Sequence, residues 1–200
     1  GRASVRPEAV ESTVRGDAED GSVSGDGRAI VFATTSTLVP EDTDAVQDVY
    51  VKDLLTDGLE RISVTPNGSP AQGNSFAGVM SDDRRFVVFW SWATNLVPGD
   101  TNGKADVFVR DRLNRTTERV SVTTAEAQAN GASPSIINGD SLGISDDGRY
   151  VTFTSLATDL VGTPTTAGAN LFQWDRTTGT TTRVTNGDRS SWVAATSPDG

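Results

Sequence analysis

The feature that most constrains this chain's fold is an internal repeat present in three copies. In each copy a serine precedes a phenylalanine by eight residues, and a leucine precedes an aspartate or asparagine by ten. The serine–phenylalanine pairs are Ser24–Phe32, Ser81–Phe89 and Ser145–Phe153. The second set comprises Leu38–Asp48, Leu96–Asp106 and Leu160–Asn170. Such constant spacing over three copies predicts a tandem-repeat architecture.

Each apolar block of the repeat has the length and composition of a β-strand. Blocks such as D-V-Y-V-K-D alternate with a period of two, which predicts that Val49 and Val51 share one face. Asp26-Gly27 and Asp147-Gly148 predict two-residue hairpins, because both central residues of such a turn tolerate positive φ. Asp83-Arg84 departs from this pattern, and we expect a looser turn there.

Four antiparallel strands per unit and no helical periodicity predict an all-β fold, a β-propeller with about three and a half blades present. A β-sandwich and a linear solenoid are the alternatives. The predicted blades are about 24–64, 81–122 and 145–185, with the start of a fourth at 191–200. Residues 1–23 match the repeat poorly and are interpreted as an N-terminal segment, with the edge strand of an incomplete blade as one reading. Because the strand Ser191–Thr196 has no predicted partner, we expect a piece of a longer propeller or two associating copies.

Composition narrows the possible chemistry. The chain has no histidine and no cysteine, which excludes Ser-His-Asp and Cys-His catalysis, His ligation and disulfides. Its net charge of −10 argues against nucleic-acid binding. No apolar run approaches the roughly 20 residues of a membrane helix, so we expect no membrane insertion.

The motifs S-D-D-G-R-Y-V-T-F, the final S-P-D-G and L-V-P-G-D-T-N-G-K-A-D-V-F-V-R-D-R resemble the TolB-like propeller repeats of bacterial secreted and periplasmic proteins. The resemblance covers most of Ser24–Gly200 and implies about six blades in a complete ring. It also implies an extracytoplasmic location, either periplasmic or secreted and cell-surface. Propellers of this kind serve as protein-docking platforms or as gating domains on serine peptidases.

The acidic loop before the third strand of the first two units is the candidate metal site, with Ca²⁺ as the candidate cofactor. Oxygen ligands at its positions 1, 3 and 7 are typical of the start of a calcium loop. The candidate ligands are Asp42, Asp44, Asp48, Asp100, Asn102 and Asp106. The alternative is structural: the first aspartate makes an Asx-turn and the last orients the incoming strand.

Recurrent arginines are interpreted as structural ion pairs with recurrent aspartates. The arginines are Arg28, Arg85, Arg149, Arg61, Arg119 and Arg183, and the expected partners are Asp53, Asp111 and Asp175.

The tryptophans have two readings. At least one of Trp90 and Trp92 is expected in the core, and Trp174 and Trp192 have no repeat equivalents. Exposed tryptophans stack on sugars or anchor partners, whereas core packing is the commoner use. The recurrent linkers 71–74 and 127–130 are read either as plain connections or as binding loops.

The sequence therefore predicts a non-catalytic propeller that binds a protein or glycan partner and has no catalytic residues. The alternative is the accessory propeller of a hydrolase whose catalytic domain lies outside these residues. A glycosidase that uses a pair of carboxylates is a further possibility, but no pair of acidic residues in the sequence is distinctive enough to support it.

Overall fold

The computed structural model describes residues 18–134, 142–163 and 168–185. Within these ranges the chain forms twelve β-strands and no helix. The strands are β1 (Ala18–Val23), β2 (Ala29–Thr34), β3 (Asp48–Asp53), β4 (Leu59–Arg61), β5 (Ser75–Met80), β6 (Phe86–Ser91), β7 (Asp106–Asp111), β8 (Thr116–Arg119), β9 (Leu142–Ile144), β10 (Tyr150–Ser155), β11 (Asn170–Asp175) and β12 (Thr180–Arg183).

The strands form three four-stranded antiparallel sheets, here called blades 1, 2 and 3. Blade 1 is β1–β4, blade 2 is β5–β8 and blade 3 is β9–β12, each a meander in which every strand pairs with its neighbour in sequence. The predicted all-β architecture of four-stranded units is confirmed. No described segment forms a helix of the length and apolarity that crossing a membrane requires.

Each blade begins before the first residue of the predicted repeat. Ala18–Val23 pairs with β2, and β5 and β9 likewise precede Ser81 and Ser145. The structure thus places the end of the predicted N-terminal segment 1–23 inside blade 1. The repeat pattern did not include these first strands, because their sequences AEDGSV, SFAGVM and LGI share no residue pattern. The predicted fourth unit at 191–200 lies outside the described residues.

The hairpin prediction was wrong in its turn geometry. Gly27 and Gly148 have φ of 70°, but their preceding aspartates do not adopt positive φ. A serine instead closes the turn: the Ser24 hydroxyl donates to Asp26 Oδ1 at 2.7 Å and accepts from the Ala29 amide at 3.0 Å.

The second turn is not looser, contrary to expectation. Arg84 adopts φ 61°, and Ser81 makes the same hydrogen bonds to Asp83 and Phe86. The serine–aspartate bonds therefore fix this turn strongly enough for an arginine to occupy the glycine position.

The core lies between consecutive blades. Blade 1 contributes Val31, Val49 and Val51 to one cluster, in which they pack against Val87, Phe89 and Phe108 of blade 2. A second cluster joins Phe86, Val88 and Val109 of blade 2 to Val151, Phe153 and Phe172 of blade 3. The period-two prediction for Val49 and Val51 is confirmed. Because blade 2 buries one face against blade 1 and the other against blade 3, the blades stack as in a propeller.

The first strands of consecutive blades approach one another closely. Gly78 in β5 illustrates this approach, since a Cβ there would lie 2.4 Å from the Val88 carbonyl oxygen and 2.7 Å from Leu142 Cδ1. A side chain at this position would force the Val88 backbone of its own blade or the Leu142 side chain of blade 3 to move.

Candidate functional site

The acidic loops and the linkers between blades meet at one end of the sheets, here called the loop end. It comprises the loops after β2, β6 and β10 together with the linkers 71–74 and 127–130. In a meander, the loop after the second strand and the exit from the fourth strand lie at the same end. The Gln47 backbone amide donates to Asn74 Oδ1 at 3.0 Å, and the Thr101 backbone amide donates to Gln128 Oε1 at 3.1 Å. Each linker therefore fastens the acidic loop of the preceding blade.

An arginine lies against the first and last acids of the first acidic loop. Arg61 Nη2 is 2.6 Å from Asp42 Oδ1 and 3.0 Å from Asp48 Oδ2. All three side chains are buried. The Tyr50 hydroxyl donates to Asp42 Oδ2 at 2.7 Å, and the Ser63 hydroxyl donates to Asp48 Oδ1 at 2.5 Å. Two buried carboxylates thus share one internal cation, which offsets much of the cost of their burial.

Burial dominates the electrostatics of Asp48. It raises the pKa of this carboxyl to about 6, against the opposing effects of the Ser63 hydroxyl and the Arg61 charge. Burial likewise raises the pKa of Tyr50, and the hydrogen bond to Asp42 adds to that effect. Neither group is exposed, so these shifts accompany a structural network rather than an accessible acid or base.

The second acidic loop repeats this plan with longer contacts. Arg119 Nη1 lies 3.7 Å from Asp100 Oδ1 and 3.5 Å from Asp106 Oδ2. The Gln128 amide nitrogen donates to the same two carboxylates at 2.7 Å and 3.3 Å. Burial again raises the pKa of Asp106.

The middle residue of each acidic loop, rather than the first, makes the Asx-turn. Asp44 Oδ1 accepts from the Val46 amide at 3.1 Å, and Asn102 Oδ1 accepts from the Lys104 amide at 2.7 Å. The Asn102 amide nitrogen donates to the Ala129 carbonyl at 2.9 Å. Both side chains therefore have local roles that need no metal.

Among the described residues, Asp42, Asp44 and Asp48 bring one carboxylate oxygen each within 4.8 Å of one another. An ion there would compete with Arg61, which already contacts two of the three acids. In the second loop, Arg119 and Gln128 hold Asp100 and Asp106 in the same way. Ca²⁺ binding by these loops stays a prediction.

The arginine assignments were right for only part of the set. Arg85 and Arg149 pair with Asp111 and Asp175 as expected, with nitrogen–oxygen distances of 2.6 Å and 2.7 Å. Arg61 and Arg119 pair instead with the acidic loops. Both sets of aspartates lie at constant separation from the arginines, so the sequence could not distinguish them.

Asp53 also differs from its expected pairing. It forms an ion pair with Arg84 of blade 2, at 3.5 Å, rather than with an arginine of its own blade. Blade 3 has Asn170 in place of the last acid, and no ion pair of Arg183 appears among the described residues. The acidic network is therefore a feature of blades 1 and 2.

The tryptophans occupy two environments. Trp90 is buried and stacks on Phe76, with ring centroids 3.9 Å apart, and Trp174 is also buried. Trp92 is 42% exposed at the loop end, directly after β6. Trp192 lies outside the described residues. The expectation that one of Trp90 and Trp92 belongs to the core is confirmed.

One recurrent residue of the network, a serine, was not predicted from the sequence. Ser63 and Ser121 each bind the last acid of their acidic loop and also accept an amide hydrogen bond from the third strand. Their place in R-I-S-V and R-V-S-V was the available signal, since a serine between two apolar strand residues needs a buried partner.

No known protein-family profile matches the chain, and no curated protein sequence matches it either. Among solved structures it is similar to a protein assigned as TolB from Agrobacterium tumefaciens, with a TM-score of 0.51 and 18% sequence identity. That match covers 89% of this chain and 53% of the other. The tricorn protease matches at a TM-score of 0.48 and 11% identity, over 84% of this chain and 18% of the protease.

The chain thus spans about half the length of the TolB structure that it matches. Its three meander sheets pack through apolar faces as the blades of a β-propeller do. The fold of this chain is a TolB-like β-propeller fold.

Proposed function

We propose that this chain is a non-catalytic binding module that takes a protein or glycan partner at its loop end, in an extracytoplasmic bacterial setting. The location is inferred from the likeness to TolB repeats. The binding role is inferred from the surface of the loop end itself.

The observation that carries this proposal is an exposed apolar side chain at the same position of two adjacent blades. Trp92 follows β6 and Leu156 follows β10, and they are 42% and 40% exposed. Large apolar side chains that remain exposed at a loop surface are typical of binding sites, and tryptophan is the commonest anchor.

The backbone at both positions is held in place. The Trp92 amide donates to the Asn74 carbonyl and the Leu156 amide donates to the Ala132 carbonyl, both at 3.0 Å. Fixed backbone lowers the entropy that a surface loses on binding. The loop end therefore presents these side chains on a preorganised platform.

Non-catalytic character is supported by the residues that would have to react. The chain has no histidine to activate a hydroxyl nucleophile. Ser63 and Ser121 do contact carboxylates, but both serines are completely buried within blades. Their hydroxyls serve the acidic network rather than a substrate.

Trp92→Ala tests the proposal. Glycan arrays and affinity capture from the envelope and secreted proteins of the source bacterium first identify the partner, and titration then measures its affinity. Truncation of a central aromatic anchor should weaken binding at least about tenfold. Leu113→Ala, which truncates a 73% exposed side chain at the opposite end of blade 2, is the matched control and should change little. Equal affinity of Trp92→Ala and wild type for the partner, or a loss of affinity only with Leu113→Ala, would exclude the loop end as the binding surface.

A further inference from the structure

The two interfaces between consecutive blades follow one plan but differ in charge at their outer rim. Each interface includes the fourth strand of one blade, the turn that follows it, and the third strand and last hairpin of the next blade. At the first interface these elements carry Glu60, Gly68, Arg110, Arg112 and Arg115. The corresponding residues at the second are Glu118, Glu126, Trp174, Arg176 and Gly179.

At the first interface, arginines of blade 2 supply the positive charge. Arg112 Nη2 of blade 2 lies 2.8 Å from Glu60 Oε2 of blade 1. Arg110 is buried, and its Nη1 donates to the Thr117 hydroxyl at 3.0 Å. The Glu60 carboxylate thus receives its counter-charge from within the protein.

The second interface lacks this compensation. Arg176, the counterpart of Arg112, has its guanidinium 4.0 Å from the centre of the Phe86 ring and donates to the Gly148 carbonyl. Trp174 replaces Arg110, and Gly179 replaces Arg115. Among the residues that the structure describes, Glu118 has no cationic partner.

The rim of the second interface has a second carboxylate, that of Glu126. Glu126 adopts φ 60° in the turn from Thr123 to Ala127, where the equivalent turn of the first interface has Gly68 at φ 87°. Both turns close with the same backbone hydrogen bond, at 2.8 Å and 2.9 Å. A non-glycine residue in this region is strained, and such strain occurs preferentially at functional positions.

Of the second-interface residues, Glu118, Glu126, Trp174 and Gly179 line a cavity of about 290 Å³. Val97, Val122 and Trp174 supply apolar lining, and Glu118 and Glu126 supply carboxylates. Arg119 also lines the cavity, but its charge is compensated by Asp100 and Asp106. The Trp174 indole N–H is buried and has no hydrogen-bond partner among the described residues, which is unusual for a fully packed interior.

We propose that this cavity receives a lysine or arginine side chain of a protein partner. The apolar lining suits the aliphatic stem of such a side chain, and the two carboxylates suit its cationic head. The partner's cation takes the role at the second interface that Arg110 and Arg112 take at the first. This inference rests on the proposed binding function and identifies a basic protein surface as one chemistry that the module recognises.

Two-dimensional ¹H–¹⁵N NMR tests the proposal through the Trp174 indole resonance, which Trp174→Phe identifies by its loss. The probes are capped Gly-Lys-Gly and Gly-Arg-Gly peptides, with Gly-norleucine-Gly and Gly-Glu-Gly as controls. The basic peptides should shift this resonance saturably, and the norleucine and glutamate peptides should not.

Glu118→Gln should weaken the binding of the basic peptides about threefold, as expected for loss of one solvent-exposed charge contact. Glu60→Gln, the same change at the first interface, should bind them as the wild type does. An indole shift that is absent, equal with norleucine, or unchanged by Glu118→Gln would overturn the proposal.

Trp92→Ala separates this inference from the proposed function. It should leave the peptide-induced shift intact, because Trp92 does not line the cavity. Partner capture that persists without any peptide-induced shift would overturn the cavity alone. A retained shift together with no loop-end binding would overturn the loop-end function alone.

Discussion

At the scale of single residues, the ionisation of Asp48 makes stability depend on pH. Its pKa is raised from 3.8 to about 6 by burial, so the folded protein binds a proton more tightly than the unfolded chain. Between pH 4 and pH 6 the folded state therefore holds more protons. It follows that this group's contribution to stability falls as the pH rises through that window.

Asp48→Asn should remove this contribution. On acidification from pH 6 to pH 4, the wild type should gain on the order of 1–3 kcal/mol of unfolding free energy relative to the variant. Urea unfolding at several pH values measures the difference. Parallel profiles for the two proteins across the window would show that Asp48 is not a buried, proton-binding carboxylate.

Asp175 has the opposite effect on the pH dependence of stability, and at lower pH. Its hydrogen bond to Arg149 is the main cause that lowers its pKa to about 2. Its contribution is present above the unfolded pKa and is lost as the pH falls from about 4 through 2. Keeping the Asp48 measurement above pH 4 avoids this second effect.

At the scale of elements, the rim turns after β4 and β8 provide a natural comparison. Both have the same hydrogen bonds and the same left-handed residue, which is Gly68 in one and Glu126 in the other. The backbone of the second turn thus carries a strain that the first avoids.

Glu126→Gly should stabilise the protein by about 0.5–1 kcal/mol. Relief of a left-handed non-glycine residue contributes about 1–2 kcal/mol, and the greater chain entropy of glycine in the unfolded state offsets part of it. Gly68→Ala is the control and should be destabilising by a similar amount. Thermal melts should move in opposite directions for the two variants, by about 2 °C each for a chain of this size. A lower melting temperature for Glu126→Gly would contradict the strain.

Elements also show which parts of the fold could be predicted from the sequence. The second and third strands followed from their period and spacing, because their apolar faces are dictated by burial between blades. The bounds of the first strands did not follow, since β1 and β9 are short or polar. The conformation at Arg84 did not follow either, since that turn is fixed by Ser81 and Asp83 rather than by glycine. The cavity at the second interface could not be predicted from the sequence. It is recognised only when the structure shows that Glu118 and Trp174 occupy the places that Glu60 and Arg110 have at the first interface.

At the scale of the whole molecule, the central claim is that the blades stack in sequence order through specific interfaces. Ion pairs join blade 1 to blade 2 through Arg84–Asp26 and Arg112–Glu60. A cation–π contact between Arg176 and Phe86 joins blade 2 to blade 3. These contacts complement the two apolar clusters and define which blade lies next to which.

Thiol cross-linking tests this stacking most directly, since the chain has no cysteine of its own. Glu60→Cys combined with Arg112→Cys places one thiol on each side of the first interface, where the native side chains meet at 2.8 Å. Glu60→Cys combined with Arg176→Cys is the matched control, because Arg176 holds the same position one blade further along. With a short bifunctional thiol reagent, the first pair should form an intramolecular link detectable by peptide mass, and the second should not. A first pair that stays unlinked, or a second pair that links equally well, would contradict the stacked-blade account.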